Sequence, residues 1–426
     1  MRILLLGANG FIGSAIAAEL IARGHAVTAV GRSIAAAERK QPQARWLKAD
    51  LSRLVDPDRW LPLLDGVEVV VNASGALQDG ARDRLDDVQR RSMIALFDAA
   101  KAGLRQRIVQ ISARTDGPGE ETAFLTTKLA ADTALKRSGL AHAILRPALV
   151  VDRNAHGGTA LLRAIAAFPF VVPLASPDAI IQTTDLAELC RVVADAAEGR
   201  HGDAADLAIA SRQTVTLAEV AGQLRAWLGL AAAPVVEPPA AVTRIMAGLA
   251  DLAGQLGWRS PMRSTALAVL AGGVTVAPGQ NALRCRDLDA TLSANPAGVQ
   301  DLWFARLYLL KPVIILVLSA FWIVSGLMTF VSFSEARGMM ASAMPGTLAT
   351  ALTAGTALLD IGIGAAVLYR RFSGAALVAM IAVTLAYLAA GSVLQPALWL
   401  DPLGPLVKTV PAMLLALVAL ATLEER

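Results

Sequence analysis

The hydrophobic and polar positions divide the chain into two regimes. Up to about residue 230, short apolar runs alternate with amphipathic stretches. Residues 2–6, apolar from Ile3 onward, read as a buried strand that stops at Gly7, and residues 14–22 then repeat with helical spacing. Further runs at 26–30, 44–48, 67–71, 107–112 and 140–147 have the length of strands and read as the next strands of a parallel sheet. After about residue 307 the alternation ends. Four apolar stretches, 308–330, 347–369, 374–394 and 403–423, are each long enough to cross a hydrocarbon core, which takes roughly 20 residues. They have hardly any polar face, unlike helices of a soluble core. Between the two regimes, residues 231–239 are rich in alanine and proline and end the first fold. Residues 242–256 and 262–273 have helical spacing with few charges. With Trp258-Arg259 between them they read either as interfacial helices on a bilayer or as an ordinary helical layer. The expected domains are therefore 1–230, a helical connector at 231–305, and 306–426.

Composition adds little beyond this. The chain has 426 residues, 55% of them hydrophobic and 17% charged, with a formal net charge of +4. That small charge and the lack of a basic stripe argue against nucleic acid as a partner. Cys190 and Cys285 are the only cysteines, far apart and outside any CxxC, so neither a disulfide framework nor a zinc site is expected. The opening apolar run is too short for the apolar segment of a secretory signal.

The first chemistry is in Gly7-Ala8-Asn9-Gly10-Phe11-Ile12-Gly13, between the first strand and the first helix. Glycines let the backbone turn tightly and approach a pyrophosphate, and the helix start offers N–H groups to it. The order strand, glycine loop, helix makes this a dinucleotide signature rather than a chance turn. The second strand ends in Gly31-Arg32-Ser33, where an NAD-selective fold places an acid. Arg32 and Ser33 suit a 2′-phosphate, so NADP(H) is expected over NAD(H). The alternative is that Arg32 stacks on adenine without selecting phosphate.

Later turns carry a family resemblance. Asp50-Leu51 and Asn72-Ala73-Ser74-Gly75 resemble the adenine-contacting acid and the NAG-like turn of the short-chain dehydrogenase/reductase superfamily. The strand ending at Ser112, the Arg146-Pro147 turn and Thr184-Asp185-Leu186-Ala187 are similar to its extended and atypical branches. The resemblance covers about residues 1–229. It implies an α/β Rossmann-type doubly wound parallel sheet. It also implies a cofactor site at Gly7, Asn9, Gly10, Phe11, Ile12, Gly13, Arg32, Ser33, Asp50, Leu51, Asn72, Ala73, Ser74, Gly75, Lys128 and Pro147. Residues 152–177, with His156-Gly157-Gly158 and Phe168-Pro169-Phe170, would wall the substrate end. His156 either faces that pocket or is a solvated loop residue; His142 reads as packed in its strand.

Catalytic members carry Tyr-x-x-x-Lys on one helix face; here the segment is Phe124-Leu125-Thr126-Thr127-Lys128. Lys128 keeps the cofactor-holding role, and Ser112 stands at the catalytic serine position, but the phenol is gone. Three readings stay open. The domain binds NADPH without turning it over, as the complex I accessory subunit of the atypical branch does. Or Lys128 or another donor replaces the phenol, as in the isoflavone-reductase-like branch. Or Thr126 or Thr127 acts through water, the weakest option because a threonine hydroxyl is a very poor acid. The three tyrosines, Tyr308, Tyr369 and Tyr387, all lie in or beside the apolar quarter.

That quarter resembles the four-helix DoxX-like membrane family, through Leu359-Asp360-Ile361-Gly362 and the run from Pro405 to Pro411. It implies an all-α four-helix transmembrane bundle. Asp360, near mid-membrane, and Lys408 are its candidate functional residues. Gly355, Gly362, Gly364 and Gly391 are expected at close helix contacts. Arg306, Lys311, Arg370, Arg371 and Arg426 place the nucleotide domain and the C-terminus on the cytoplasmic side of a bacterial-type inner membrane, with Trp399 at the outer interface. The expected partners are the lipid bilayer, a membrane-soluble carbonyl, lipid or quinone substrate, and a membrane complex that a non-catalytic NADPH-binding or redox-sensing form would serve.

Overall fold

The computed structural model describes residues 1–424 except 76–78, 80–83, 104–105, 115–119, 277–281, 342–343 and 403. Leu403, where the fourth span was expected to begin, and Arg426 lie outside the described residues. The chain forms two compact units, Met1–Leu252 with Ser260–Ala305, and Ala253–Arg259 with Arg306–Arg426.

The first unit is built on an eight-stranded sheet. Its order across the sheet is Ala282–Cys285, Ala204–Ser211, His142–Pro147, Arg107–Ile111, Val69–Asn72, Arg2–Leu6, Ala26–Gly31, Arg45–Lys48. Every pairing is parallel. The apolar runs are continuous because both faces are covered. Ile3 and Leu5 join one core with Ile16, Leu20, Leu189 and Val193 from helices Phe11–Ala22 and Leu186–Ala197. Leu4 and Leu6 join the opposite core with Trp60, Leu96, Phe97, Ala131 and Leu135. Strand order reverses at Arg2–Leu6, which puts a crevice beyond its C-terminal end, where such sheets bind ligands. A third cluster, including Val151, Leu162, Val172, Ile181, Val220 and Leu288, forms a smaller lobe. Here Asp185 caps Leu186–Ala197 through the Glu188 N–H at 2.9 Å, and Thr216 and Glu219 form a capping box at the start of Leu217–Trp227.

The boundary expected near residue 230 falls inside this unit. Residues 231–305 are not a purely helical connector. Val235–Val236 pairs with Val172–Pro173, and Ala282–Cys285 is the outermost strand of the main sheet. The helices Ala240–Gln255 and Ser264–Ala271 lie where helical spacing placed them.

The second unit is helical: Val299–Val331 from Arg306 onward, Phe333–Ala341, Gly346–Ala366, Arg370–Leu394 and Pro405–Ala421. Three of these are long and apolar enough to cross a membrane, Val299–Val331, Gly346–Ala366 and Arg370–Leu394. The fourth expected span is a shorter apolar helix, Pro405–Ala421, of 17 residues. It starts on Pro405 after Gly404, whose backbone is left-handed (φ +57°). A further helix, Phe333–Ala341, occupies the loop that holds Glu335 and Arg337. Leu316, Val317, Leu358, Val378 and Leu385 point outward, while Leu318, Trp322, Leu377, Met380 and Ala419 pack inward. Of the four glycines expected at helix contacts, two are there. A Cβ on Gly364 would meet Ile323 and Ser319 at about 3 Å, and one on Gly391 would meet Leu406 at 3.0 Å. Gly355 and Gly362 face open space, whereas Gly326, not foreseen, lies 2.5 Å from the Ala357 carbonyl by the same test.

Candidate functional site

Because the main sheet is parallel, the ends of its strands share one edge. Most of the expected site residues follow from that. Gly7 leaves the first strand with φ +74°, and a Cβ there would lie 2.8 Å from the Ala73 carbonyl and the Ser74 backbone. A Cβ on Gly13 would lie 2.2 Å from the Gly7 carbonyl, so the helix can start this close only as glycine. The Gly10 N–H donates to the Gly7 carbonyl at 2.9 Å and closes the turn. Helix Phe11–Ala22 has no side-chain cap and no acid in its first turn. Its leading N–H groups are thus left without a side-chain cap at the crevice end of the helix. Asn9 donates to the Ser33 carbonyl at 3.3 Å, which ties this loop to the Arg32-Ser33 turn, where both side chains are exposed.

The other turns use some of their polar groups internally. Asp50 accepts from the Ser52 N–H at 3.1 Å and its hydroxyl at 2.8 Å, capping the short turn Leu51–Arg53, with Leu51 buried. Asn72 is buried: its amide donates to Gln110 at 2.8 Å, and its oxygen accepts from the Ser74 N–H at 3.0 Å. It therefore shapes the Ala73-Ser74-Gly75 turn from within. Pro147 ends the His142–Pro147 strand.

Lys128 sits on helix Ala123–Arg137 and is buried. Its ammonium donates to the Ile111 carbonyl at 3.0 Å and lies 5.6 Å from the centre of the Phe124 ring. A Cβ on Gly75 would be 3.9 Å from Nζ, so the ammonium faces the turn after the Val69–Asn72 strand. Burial lowers the Lys128 pKa to about 8, against the pull of the Asp132 carboxylate and with a smaller push from Arg146.

Ser112 is not aimed at the crevice as a free hydroxyl. Its Oγ donates to Asp132 Oδ2 at 2.6 Å. Arg146 also reaches Asp132, at 2.9 Å, and binds Asp206 at 2.8 Å; Lys136 meets Asp206 at 2.6 Å. Burial raises the Asp132 carboxyl, opposed by Arg146, Ser112 and Lys128. Burial also works to raise Asp206, but hydrogen bonds from Arg146 and Lys136 outweigh it and hold it low. Asp132, Arg146 and Asp206 were not foreseen as a network. The signal was available: Asp132 is four residues after Lys128, hence on the same helix face. The threonine option loses support, since Thr127 donates to the Ala123 carbonyl at 2.7 Å and Thr126 to that of Thr122 at 3.1 Å.

At the start of its strand in the main sheet, His142 is buried with its Nδ1 2.9 Å from the Leu140 carbonyl, as packing implied. His156 is half-buried and stacks on Phe11 of the glycine loop, with ring centres 6.3 Å apart. The 152–177 segment thus reaches the cofactor turn. Both cysteines are buried and free, and burial pushes Cys190 up to about 12 and Cys285 to about 11, so both stay thiols. Among the described residues no cluster suited to a metal occurs.

In the helical unit Asp360 is buried, and Tyr387 donates to it at 2.9 Å. Lys408 is exposed on Pro405–Ala421 and does not pair with Asp360.

Comparison with known proteins agrees with both halves. Residues 7–170 match the family described as NAD(P)H-binding, and residues 319–417 match the DoxX-like family. No curated protein matches the chain significantly. Among solved structures, the Bordetella bronchiseptica enzyme WbmG in complex with NAD and UDP is 17% identical, with 69% of this chain and 94% of that one covered and a TM-score of 0.50. UDP-glucose 4-epimerase from Thermotoga maritima with UDP-glucose is also 17% identical, covering 56% and 87%, with a TM-score of 0.47. The dTDP-glucose 4,6-dehydratase from Bacillus anthracis in complex with NAD is 15% identical, covering 56% and 85%, with a TM-score of 0.47. At 17% identity the likeness to WbmG speaks for the fold alone. The chain thus carries a region similar to the NAD(P)H-binding family, on a Rossmann-like fold, towards its N-terminus and a region similar to the DoxX-like family towards its C-terminus.

Proposed function

We propose that the nucleotide domain binds NADP(H) in preference to NAD(H) and reduces a carbonyl, quinone or lipid substrate dissolved in the membrane. It does so on the cytoplasmic side of a bacterial-type inner membrane. The observation that carries this reading is Lys128, a buried ammonium at the C-terminal edge of the sheet beside the Asn72–Gly75 turn. The glycine cradle and the uncapped helix fit a pyrophosphate, and the Arg32-Ser33 turn carries no acid to repel a 2′-phosphate. Bound there, a nicotinamide supplies a hydride. Lys128 holds the ribose hydroxyls, and Phe124 fills the tyrosine's space without giving a proton. A quinone suits this site best. Its reduced form is a much weaker base than an alkoxide, so it takes its proton from water or from Lys128 and needs no phenol.

A second reading rests on Phe124 and on the Ser112 hydroxyl, which is engaged by Asp132. With neither hydroxyl acid available, the domain is a non-catalytic NADPH-binding assembly or redox-sensing module of a membrane complex.

The full-length protein in mild detergent separates the two. NADPH and NADH binding are measured first, then loss of nicotinamide absorbance with a panel of quinones and lipid aldehydes. NADPH-selective binding with turnover that Lys128→Ala removes supports the reductase. Tight binding without turnover moves the reading to the assembly role. Failure to bind either nucleotide overturns both.

A further inference from the structure

Within the helical unit a groove of about 430 Å³ runs between helices Gly346–Ala366 and Arg370–Leu394. Its floor is made of small residues, Gly362, Ala366, Ala375 and Ala379, and Leu358 and Phe372 stand at its two ends. Phe372 to Ala379 is seven residues of helix, so the groove extends roughly 10 Å along the helix from the loop that carries Arg370 and Arg371. Among the described residues no polar side chain lines it.

The two arginines at the loop end differ. Arg370 is built into the bundle: it donates to the Leu423 carbonyl at 3.0 Å and lies over the Trp258 ring at 5.6 Å. Trp258 in turn donates to the Leu368 carbonyl at 2.6 Å, and Lys311 donates to Leu423 at 3.3 Å. These contacts close the end of the bundle. Arg371 is exposed, and its guanidinium lies 5.6 Å from the centre of the Phe372 ring, at the end of the groove. Among the described residues it has neither a hydrogen-bond nor an ion-pair partner.

A cation over the end of an apolar, small-floored groove at membrane depth matches one kind of molecule. We propose that this groove holds an acyl chain of an anionic phospholipid whose phosphate is bound by Arg371. The charge decides between occupants. A neutral lipid or a helix from a second copy would satisfy the apolar floor but leave the guanidinium without a counter-charge, whereas basic pockets between membrane helices select acidic head groups. The small floor lets the chain lie against the helix backbones, and Phe372 supports both the chain and the arginine.

The test uses the full-length protein in mild detergent, incubated with phosphatidylglycerol or with phosphatidylcholine of the same acyl chains. Retained lipid is counted by native mass spectrometry. The wild type is expected to retain phosphatidylglycerol preferentially. Arg371→Gln should lower that retention about fivefold and leave phosphatidylcholine unchanged. Ala375→Leu, which fills the groove, should lower retention of both. Arg371→Gln alters only an exposed side chain, and unchanged helical circular dichroism confirms its fold. Equal retention of the two lipids by the wild type, or no effect of Arg371→Gln, overturns the proposal. So does a dimer that binds no lipid and that Ala375→Leu dissociates.

Discussion

Asp132 in the nucleotide unit and Asp360 in the helical unit are both buried, at 1% and 6% exposure, yet they are held by different groups. Asp132 has a guanidinium at 2.9 Å and a serine hydroxyl at 2.6 Å. Asp360 has a phenol at 2.9 Å, and among the described residues no cation pairs with it. The nucleotide unit can present Arg146 to Asp132 because Arg146 also reaches the half-exposed Asp206 and, through it, Lys136 and solvent. A chain of alternating charges leads inward, and each charge is neutralised by the next. Among apolar helices a second buried ion would add its own desolvation cost, so a neutral hydroxyl serves Asp360 instead. The surroundings, not the residue, decide which partner a buried carboxyl takes.

The largest test of this contrast is Arg146→Met. It leaves Asp132 buried without its cation, and breaking a buried pair this way costs about 3–5 kcal/mol. The thermal midpoint of the nucleotide unit should fall sharply, while Asp206→Asn, at the half-exposed end, should cost less. Equal losses would mean the chain is not graded from inside to outside.

Lys128 gives the next effect. Its pKa is about 8 in the native protein against an ordinary 10.5. Between those values the unfolded chain binds a proton that the native chain lacks, so this group adds stability as pH rises from about 8 to 10.5. Denaturant midpoints across that window should rise by the equivalent of about 2–3 kcal/mol, and Lys128→Met should remove the rise. A wild-type profile as flat as the variant's would show that the lysine is not desolvated.

Smaller again is Arg32→Ala. It should weaken NADPH binding about 10- to 100-fold, the worth of a charge-assisted hydrogen bond, and leave NADH within a few-fold. Titration of both nucleotides measures it; an equal loss for both would assign Arg32 to adenine stacking. The smallest effect belongs to the helical unit. Tyr387→Phe should cost only about 0.6 kcal/mol, as hydrogen bonds between membrane helices usually do, read as a shift in detergent unfolding. A cost like that of Arg146→Met would erase the contrast between the two aspartates.

The parts of this arrangement that sequence exposes are those with a local signature. The glycine loop announces itself because tight turns demand glycine, and strands such as Arg2–Leu6 and Val69–Asn72 because burial on both faces keeps them almost continuously apolar. Ala282–Cys285 has no such signature: it is four residues long with Arg284 inside it, at a sheet edge where charge is tolerated. Its place is set by pairing with Ala204–Ser211, a contact that no local pattern encodes. The Arg146-Pro147 turn was legible as a motif, but not the destination of its guanidinium, since Asp206 lies on a neighbouring strand 60 residues away. Likewise Asp360 was legible as an oddity in an apolar helix. That its partner would be Tyr387 depended on helix rotation, which an almost uniformly apolar pattern leaves unspecified.

The outermost strand also bears on how the protein is made. The ribosome must deliver Ala282–Cys285 before the edge of Ala204–Ser211 is covered, and soon afterwards it begins Val299–Val331, the first helix apolar enough for lipid. For most of its synthesis the nucleotide fold therefore has an open edge, ready to pair with another nascent chain. The last strand pairing of the main sheet can form only shortly before the chain begins its first long apolar helix, so completion of the sheet and the start of that helix are close in time.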